Sequence, residues 1–497
     1  MTVSTTPVNL VEKANRYIEE HKEKVIQQYR NQYHVMAPVG WINDPNGFVY
    51  YKGEYHLFYQ FYPYDSAWGP MHWGHVKSTD LVHWEDLPVA LAPDQPYDRS
   101  GCFSGSAIVK DDALYLMYTG HVEEEGKTYQ TQCIAVSTDG VHFEKLAQNP
   151  VITEKELGDN GSKHDFRDPK VMSHGGRYYS VIATKSTEDR GRILLFESEN
   201  LVTWTFKSIL LEGTKEQGIM WECPDLFHLD GHDVLIMSPI QWQTQDIAYT
   251  NISSTVAFIG KVDWDKGVFK VTSYQEIDSG MDFYAPQTCE DAAGRRLMIA
   301  WMQMWDRTLP THDLGHHWAG SMTLPRELHV SDNRLIQEPV HEVYEHVTSD
   351  HYLEKVTVTT DESLHLEDVI KDQSYVKLVI TVKDVKNLSI ALAPKTSQPL
   401  LLTYDHSLQR FQFTREQVGH PLEGNEPGCY VSRQVAVAPT DDQLTIELFK
   451  DTSSIETFIG HQAVMTNTFY AIDQLTDFII SVEGTAVIET LQIGGIR

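Results

Sequence analysis

Cysteine is scarce in this chain. The 497 residues include five, Cys102, Cys133, Cys223, Cys289 and Cys429, an odd number at wide spacing with no CxxC pair. That excludes a disulfide framework, offers no zinc-ligand spacing, and fits reduced, buried thiols in a cytosolic protein. Long apolar runs are missing too, since none approaches the ~18 residues of a membrane span. The opening Met1 to Pro7 is short and polar, unlike a secretory leader. Positive charge is the third shortage: 40 Lys and Arg stand against 70 Asp and Glu, a formal net charge of -30. Such a balance repels nucleic acid and anionic membrane surfaces and favours solubility. What remains is a cytoplasmic globular protein whose partners are small molecules or further copies of itself.

A chain of this length exceeds one hydrophobic core, so two domains, or three, are expected. From Asn9 to Arg30 the apolar residues Leu10, Ala14, Tyr17, Ile18, Val25, Ile26 and Tyr29 recur at three- and four-residue steps, which predicts an amphipathic helix that packs on the body of the protein. After His34 the text turns to short strands rich in Tyr, Phe, Val and Trp between Gly, Asp and Pro turns. One strand-turn-strand phrase returns five times, beginning at Gly47, Ser106, Pro169, Pro224 and Pro286. A second phrase follows most copies, as DLVHWEDL at Asp80, DGVHFEKL at Asp139 and NLVTWTFKS at Asn200, with a weaker version at Gly267. Five copies at roughly 60-residue intervals suit four strands per unit, hence a five-bladed β-propeller. Past Asp350 come alternating strands of a second domain, a β-sandwich. The expected organisation is all-β: a helical segment over residues 1–32, the propeller over 33–335, a connector over 336–351 and the sandwich over 352–497. Within the connector HEVYEH resembles a zinc-protease motif, but a five-residue step turns its two histidines ~140° apart on a helix, off a common face.

Three acidic motifs open repeat copies: WINDPNG from Trp41, FRDPK from Phe166 and WECPD from Trp221. Copies two and five carry Phe103-Ser104 and Tyr284-Ala285 at the corresponding place. In a propeller the innermost strands line a central channel, so residues at equivalent positions face one another across the axis. Asp44, Asp168 and Glu222 should therefore meet, and paired carboxylates are the usual machinery for hydrolysing a glycosidic bond. Clustered carboxylates disfavour one another's ionisation. Glu222, between Trp221 and Cys223, is the candidate for the protonated acid; Asp44, in an Asn-Asp-Pro-Asn setting, is the candidate for the ionised nucleophile. Aromatic residues for stacking on sugar rings are supplied by Phe61, Trp68, Trp73, Phe103, Tyr284 and Trp301, and polar partners for hydroxyls by Asn43, Gln60, Ser104 and Arg167.

With WINDPNG, YQFYPYDSAWGPMHWGH, FSGSA, FRDP, WECPD and FYAPQ in this order, the chain resembles glycoside hydrolase family 32, the β-fructofuranosidases. The resemblance implies a retaining hydrolase acting on a terminal β-fructofuranosyl unit. It implies Asp44 as nucleophile, Glu222 as acid and base, and Asp168 holding fructosyl hydroxyls and stabilising the transition state. Asn43, Gln60, Trp68, Phe103, Ser104 and Arg167 would line the fructose pocket, with no cofactor and no metal. The N-terminal helical segment and the missing leader are similar to those of intracellular bacterial sucrose-6-phosphate hydrolases, so the implied substrate is sucrose or its 6-phosphate. A phosphate would require local cations, for which Arg307, His312, His316 and His317, or Lys163 and His164, are the candidates. The competing readings are a fructan hydrolase or fructosyltransferase, and a sugar-binding propeller without turnover.

Overall fold

The computed structural model describes residues 9–425 and 430–497; Cys429 and the polar opening segment fall outside them. Five sheets, one of five strands and four of four, stand around one axis, and a ten-stranded sheet follows. The innermost strands of the five are Gly40–Tyr51, Gly101–Lys110, Phe166–His174, Gln217–Leu229 and Tyr284–Glu290. Each packs on the next and the fifth on the first, which closes a five-bladed propeller. A short strand, Trp318–Ala319, returns from blade five to pair in parallel with Gly40 and Trp41, so blade one carries the seam of the ring.

The repeated DLVHW phrase has a local cause. Asp80, Asp139 and Asn200 each accept backbone N–H bonds from the residues two and three further on, at 2.8 to 3.0 Å, and so fix the turn before the outermost strand. On the axis below the pocket, Lys170 donates to Asp225 at 2.9 Å and to the Thr288 carbonyl at 2.7 Å, joining blades three, four and five.

The N-terminal helix is shorter than its periodicity suggests. It spans Leu10–His21, capped by the Asn9 side chain, and buries Ala14 against blade one. After one 3-10 turn the chain extends, because Ile26 gives its N–H to the His316 carbonyl and its own carbonyl to the Trp318 indole, at the seam. Tyr29 packs on His316 and Tyr470 with φ 71°. These tertiary bonds override the helical pattern of Val25, Ile26 and Tyr29.

Blade five ends with Arg334–Pro339, and the second domain begins with His351–Thr359. Two strands, Ser374–Ala393 and Asp477–Gly495, pair with each other along nearly their whole length and belong to both layers of a β-sandwich. The first half of Ser374–Ala393 pairs with Gln443–Lys450 and the second half with Leu400–Asp405, with register breaks between Thr381 and Asn387 turning the corner. Leu378, Ile380, Ile390, Phe411, Ile446 and Phe478 fill the space between the layers.

The two domains are tied by ion pairs with no exposed side-chain surface. Arg326 of blade five binds Glu456 at 2.6 Å and Asp278 at 3.0 Å. His34, just ahead of blade one, binds Glu456 at 3.0 Å through one ring nitrogen and Asp451 at 2.8 Å through the other.

Candidate active site

The innermost strand of every blade slips register against its neighbour at the channel mouth, and those of blades one and four slip a second time elsewhere. The extra residues are Asn43-Asp44, Ser104, Asp168-Pro169, Cys223-Pro224 and Ala285-Pro286. A bulge leaves a residue outside the ladder, which suits proline, and re-aims the side chains around it. Asp168, Cys223 and Ala285 hold φ of 64°, 51° and 49° there, a left-handed backbone uncommon outside glycine and concentrated at functional sites.

Counting back from the proline sorts the site into two tiers. Asp44, Asp168, Cys223 and Ala285 share one position, and Asn43, Arg167, Glu222 and Tyr284 share the one before it; in blade two Ser104 and Phe103 take these places. The expected alignment of Glu222 with the two aspartates is therefore off by one residue, and Cys223 is their counterpart. The signal lay in the sequence, where proline directly follows Asp44 and Asp168 but comes two residues after Glu222.

In the aspartate tier, Asp44 accepts from the Ser104 hydroxyl at 2.7 Å, from the Asn43 amide at 3.1 Å and from the Cys223 thiol at 3.4 Å. The Cys223 backbone N–H donates to Asp168 at 3.0 Å, so one residue touches both aspartates. Burial pushes both carboxyls up: Asp44 rises despite its donors, with Glu222 repelling it further. Asp168 rises to about 7 through burial, with Arg167 opposing and Glu222 and Asp44 reinforcing. Burial and the surrounding carboxylates also hold the Cys223 thiol well above its ordinary range.

In the other tier Glu222 sits between two neighbours in register. Arg167 donates to Oε1 from Nη2 at 2.9 Å and from Nε at 3.2 Å, and the Tyr284 hydroxyl donates to Oε2 at 2.5 Å. The apolar setting expected from Trp221 and Cys223 is absent, because strand side chains alternate: Trp221 is fully buried against Phe258 inside its blade.

These groups open into a cavity of about 440 Å³ at the channel mouth. Asn43, Gln60, Trp68, Phe103, Ser104 and Arg167 all line it, together with the three carboxylates. Gln60 donates to the Cys102 carbonyl at 3.0 Å, and Trp68, 48 % exposed, stands edge-on to Phe103. Tyr284 reaches the site through Glu222 and does not line the cavity. Trp301 is a correction. Its ring is fully buried behind Trp41 and Trp305, and Trp305 joins Trp68 in lining the cavity.

Of the remaining wall only His164 was legible in the sequence. It comes from the hairpin between strands Ala113–Glu124 and Lys127–Ser137, which carries His121, Glu123, Thr128 and Gln130, and from His164 and Asp165 ahead of blade three. His121 stacks on Phe103 with ring centroids 3.9 Å apart, and burial followed by the charge on Arg167 lowers its pKa to about 4. Of the cations expected for a phosphate, only His164 lines the cavity. Arg307 is buried against Asp282, His316 against Tyr29, and Lys163 is held by Glu154 at 2.7 Å.

Among the described residues, one group has metal-ligand spacing: Asp80, His83 and His346, outside the cavity. Its Asp-His pair repeats in blade two as Asp139 and His142, at the same 2.8 Å, as part of the Asx turn. No helix of the described residues is long and apolar enough to cross a membrane.

Residues 34–339 match the glycosyl hydrolases family 32 N-terminal domain and residues 342–494 the glycosyl hydrolases family 32 C-terminal domain. The chain belongs to glycosyl hydrolases family 32. A "Sucrose-6-phosphate hydrolase" of Zymomonas mobilis is 34 % identical over 97 % of this chain and 95 % of its own length. Among solved structures, a Bombyx mori GH32 beta-fructofuranosidase matches with TM-score 0.82 and 33 % identity over 98 % of both chains. The sucrose-6-phosphate hydrolase from Lactobacillus gasseri matches with TM-score 0.84 and 28 % identity, over 97 % of this chain and 96 % of that one. The propeller, the sandwich and their order are those of family 32.

Proposed function

We propose that this family 32 enzyme is a retaining β-fructofuranosidase that releases fructose from sucrose, free or phosphorylated on its glucose. The observation that carries the reading is the meeting of Asp44, Asp168 and Glu222 in one cavity, two on one tier and the third on the other. Asp44 is the nucleophile: its carboxylate attacks the anomeric carbon of the fructosyl unit and forms an ester, while the bond to the glucosyl oxygen breaks. Glu222 gives that oxygen a proton, then takes one from the water that cleaves the ester. Asp168 holds fructosyl hydroxyls and shares the positive charge that develops on the sugar. Arg167 and Tyr284 orient Glu222, and Ser104 and Asn43 orient Asp44. Trp68, Phe103 and Trp305 supply apolar faces for the sugar rings. The four described cysteines are free, which supports a reducing compartment such as the cytosol.

The test is Asp44→Asn, which keeps the shape and removes the attacking oxygen. Fructose release from sucrose should fall by at least ~10³-fold with unchanged far-UV circular dichroism. Retention of more than a few per cent of the activity would sink the assignment.

A further inference from the structure

The fructosidase reading leaves open which sugar, free or phosphorylated, suits the cavity better. We propose that it takes the uncharged disaccharide in preference to the glucose 6-phosphate ester, and that Glu123 at the rim sets this preference.

Charge is the basis. Five carboxylates line the cavity, Asp44, Glu123, Asp165, Asp168 and Glu222, against one guanidinium, that of Arg167. That guanidinium is committed: Nε and Nη2 lie on Glu222, and Nη1 lies on Gln130 and Asp165, both at 3.3 Å. His121 is neutral at neutral pH, its pKa being lowered to about 4. His164 has its Nδ1 on the Thr128 carbonyl, which leaves one ring nitrogen for a ligand. The nearest lysine in sequence, Lys163, points to Glu154.

Position singles out Glu123. Asp44, Asp168 and Glu222 form the floor, where the fructosyl unit sits, so the glucosyl end faces the rim. Glu123 stands there, opposite Thr128 in the hairpin ladder, exposed, and without a cation on its carboxylate among the described residues. Glu124 and Glu125 follow it at the tip of the same hairpin. A phosphate monoester carries nearly two negative charges at pH 7, and a like charge at the mouth of a low-dielectric cleft repels it on approach and in the complex. A neutral glucosyl unit feels none of this and gains a hydrogen-bond acceptor instead.

The experiment compares kcat/KM for sucrose and sucrose 6-phosphate at pH 7.5, in low and in 0.3 M salt. Wild type should favour sucrose by about tenfold at low salt, and the ratio should narrow as salt screens the rim. Glu123→Gln should narrow it about three- to tenfold at low salt, through KM for the phosphate ester. Glu124→Gln, whose carboxylate pairs with Arg99 at 3.3 Å and does not line the cavity, should keep the wild-type ratio. Equal or higher specificity for the phosphate ester, or an unchanged ratio in Glu123→Gln, would overturn the proposal. Absence of fructose from both sugars would instead strike the fructosidase reading beneath it.

Discussion

The buried histidine between the domains makes the fold sensitive to alkali. Both ring nitrogens of His34 lie on carboxylate oxygens, Asp451 at 2.8 Å and Glu456 at 3.0 Å, with no exposed side-chain surface on any of the three. Two acceptors require two N–H donors, so the ring is an imidazolium. Burial opposes that charge, the two carboxylates outweigh it, and the pKa is raised to about 9. Unfolded, the ring returns to ~6.5. The native state therefore holds the extra proton: its stabilising contribution is complete below pH 6.5 and is lost as pH rises through 9. A shift of ~2.5 units corresponds to ~3 kcal/mol, or about 3 °C in Tm for a chain this long. Lys450, buried and lowered to about 8, has the opposite slope above pH 8, so wild type alone would blur the effect. The measurement is Tm by circular dichroism from pH 6 to 10 for wild type and His34→Gln. The gap between them should be largest near pH 6.5 and shrink by about 3 °C by pH 10. A gap independent of pH would show a neutral ring with the proton on a carboxylate, and would refute the reasoning.

Two further outcomes follow from the inner strands. Ser104→Ala removes the donor at 2.7 Å that holds the Asp44 carboxyl down. Its pKa should then rise further and carry the acid limb of the kcat/KM profile for sucrose upward by about 0.5 to 1 pH unit, whereas an unmoved limb would mean that another group sets it. Lys170→Met keeps the volume but strands Asp225 on the axis, so denaturant titration should show a loss of about 3 to 5 kcal/mol, and a loss below 1 kcal/mol would show that the ion pair is not what locks the three blades.

Much of the architecture was legible because a propeller writes its repeat into the chain. The Asx turns at Asp80, Asp139 and Asn200 need particular residues at fixed offsets, and the prolines at the bulges mark where four of the five blades meet the channel. Contacts between distant parts of the chain left no such trace. The helix stops at His21 because residues near 316 and 470 claim the backbone and rings that follow. Trp301 read as a platform while Trp305 went unread, yet the strand buries the first and the loop after it brings the second to the cavity. The one-residue offset of Glu222 was visible in the proline spacing, although its meaning required the register of the neighbouring blades. Arg307 stood among the phosphate candidates, and nothing near it in sequence announced that Asp282 and Asn251 would bind its guanidinium.

The seam of the propeller lies in the blade that carries Asp44. Trp318 and Ala319 are among the last propeller residues to leave the ribosome, and they pair beside Gly40 and Trp41, immediately before Asn43 and Asp44. A growing chain can thus display Asp168 and Glu222 on finished blades while the strand bearing Asp44 still lacks an edge partner. The cavity that gathers all three carboxyls takes its shape only when the circle shuts, so the pocket is a product of the whole ring and of no single blade.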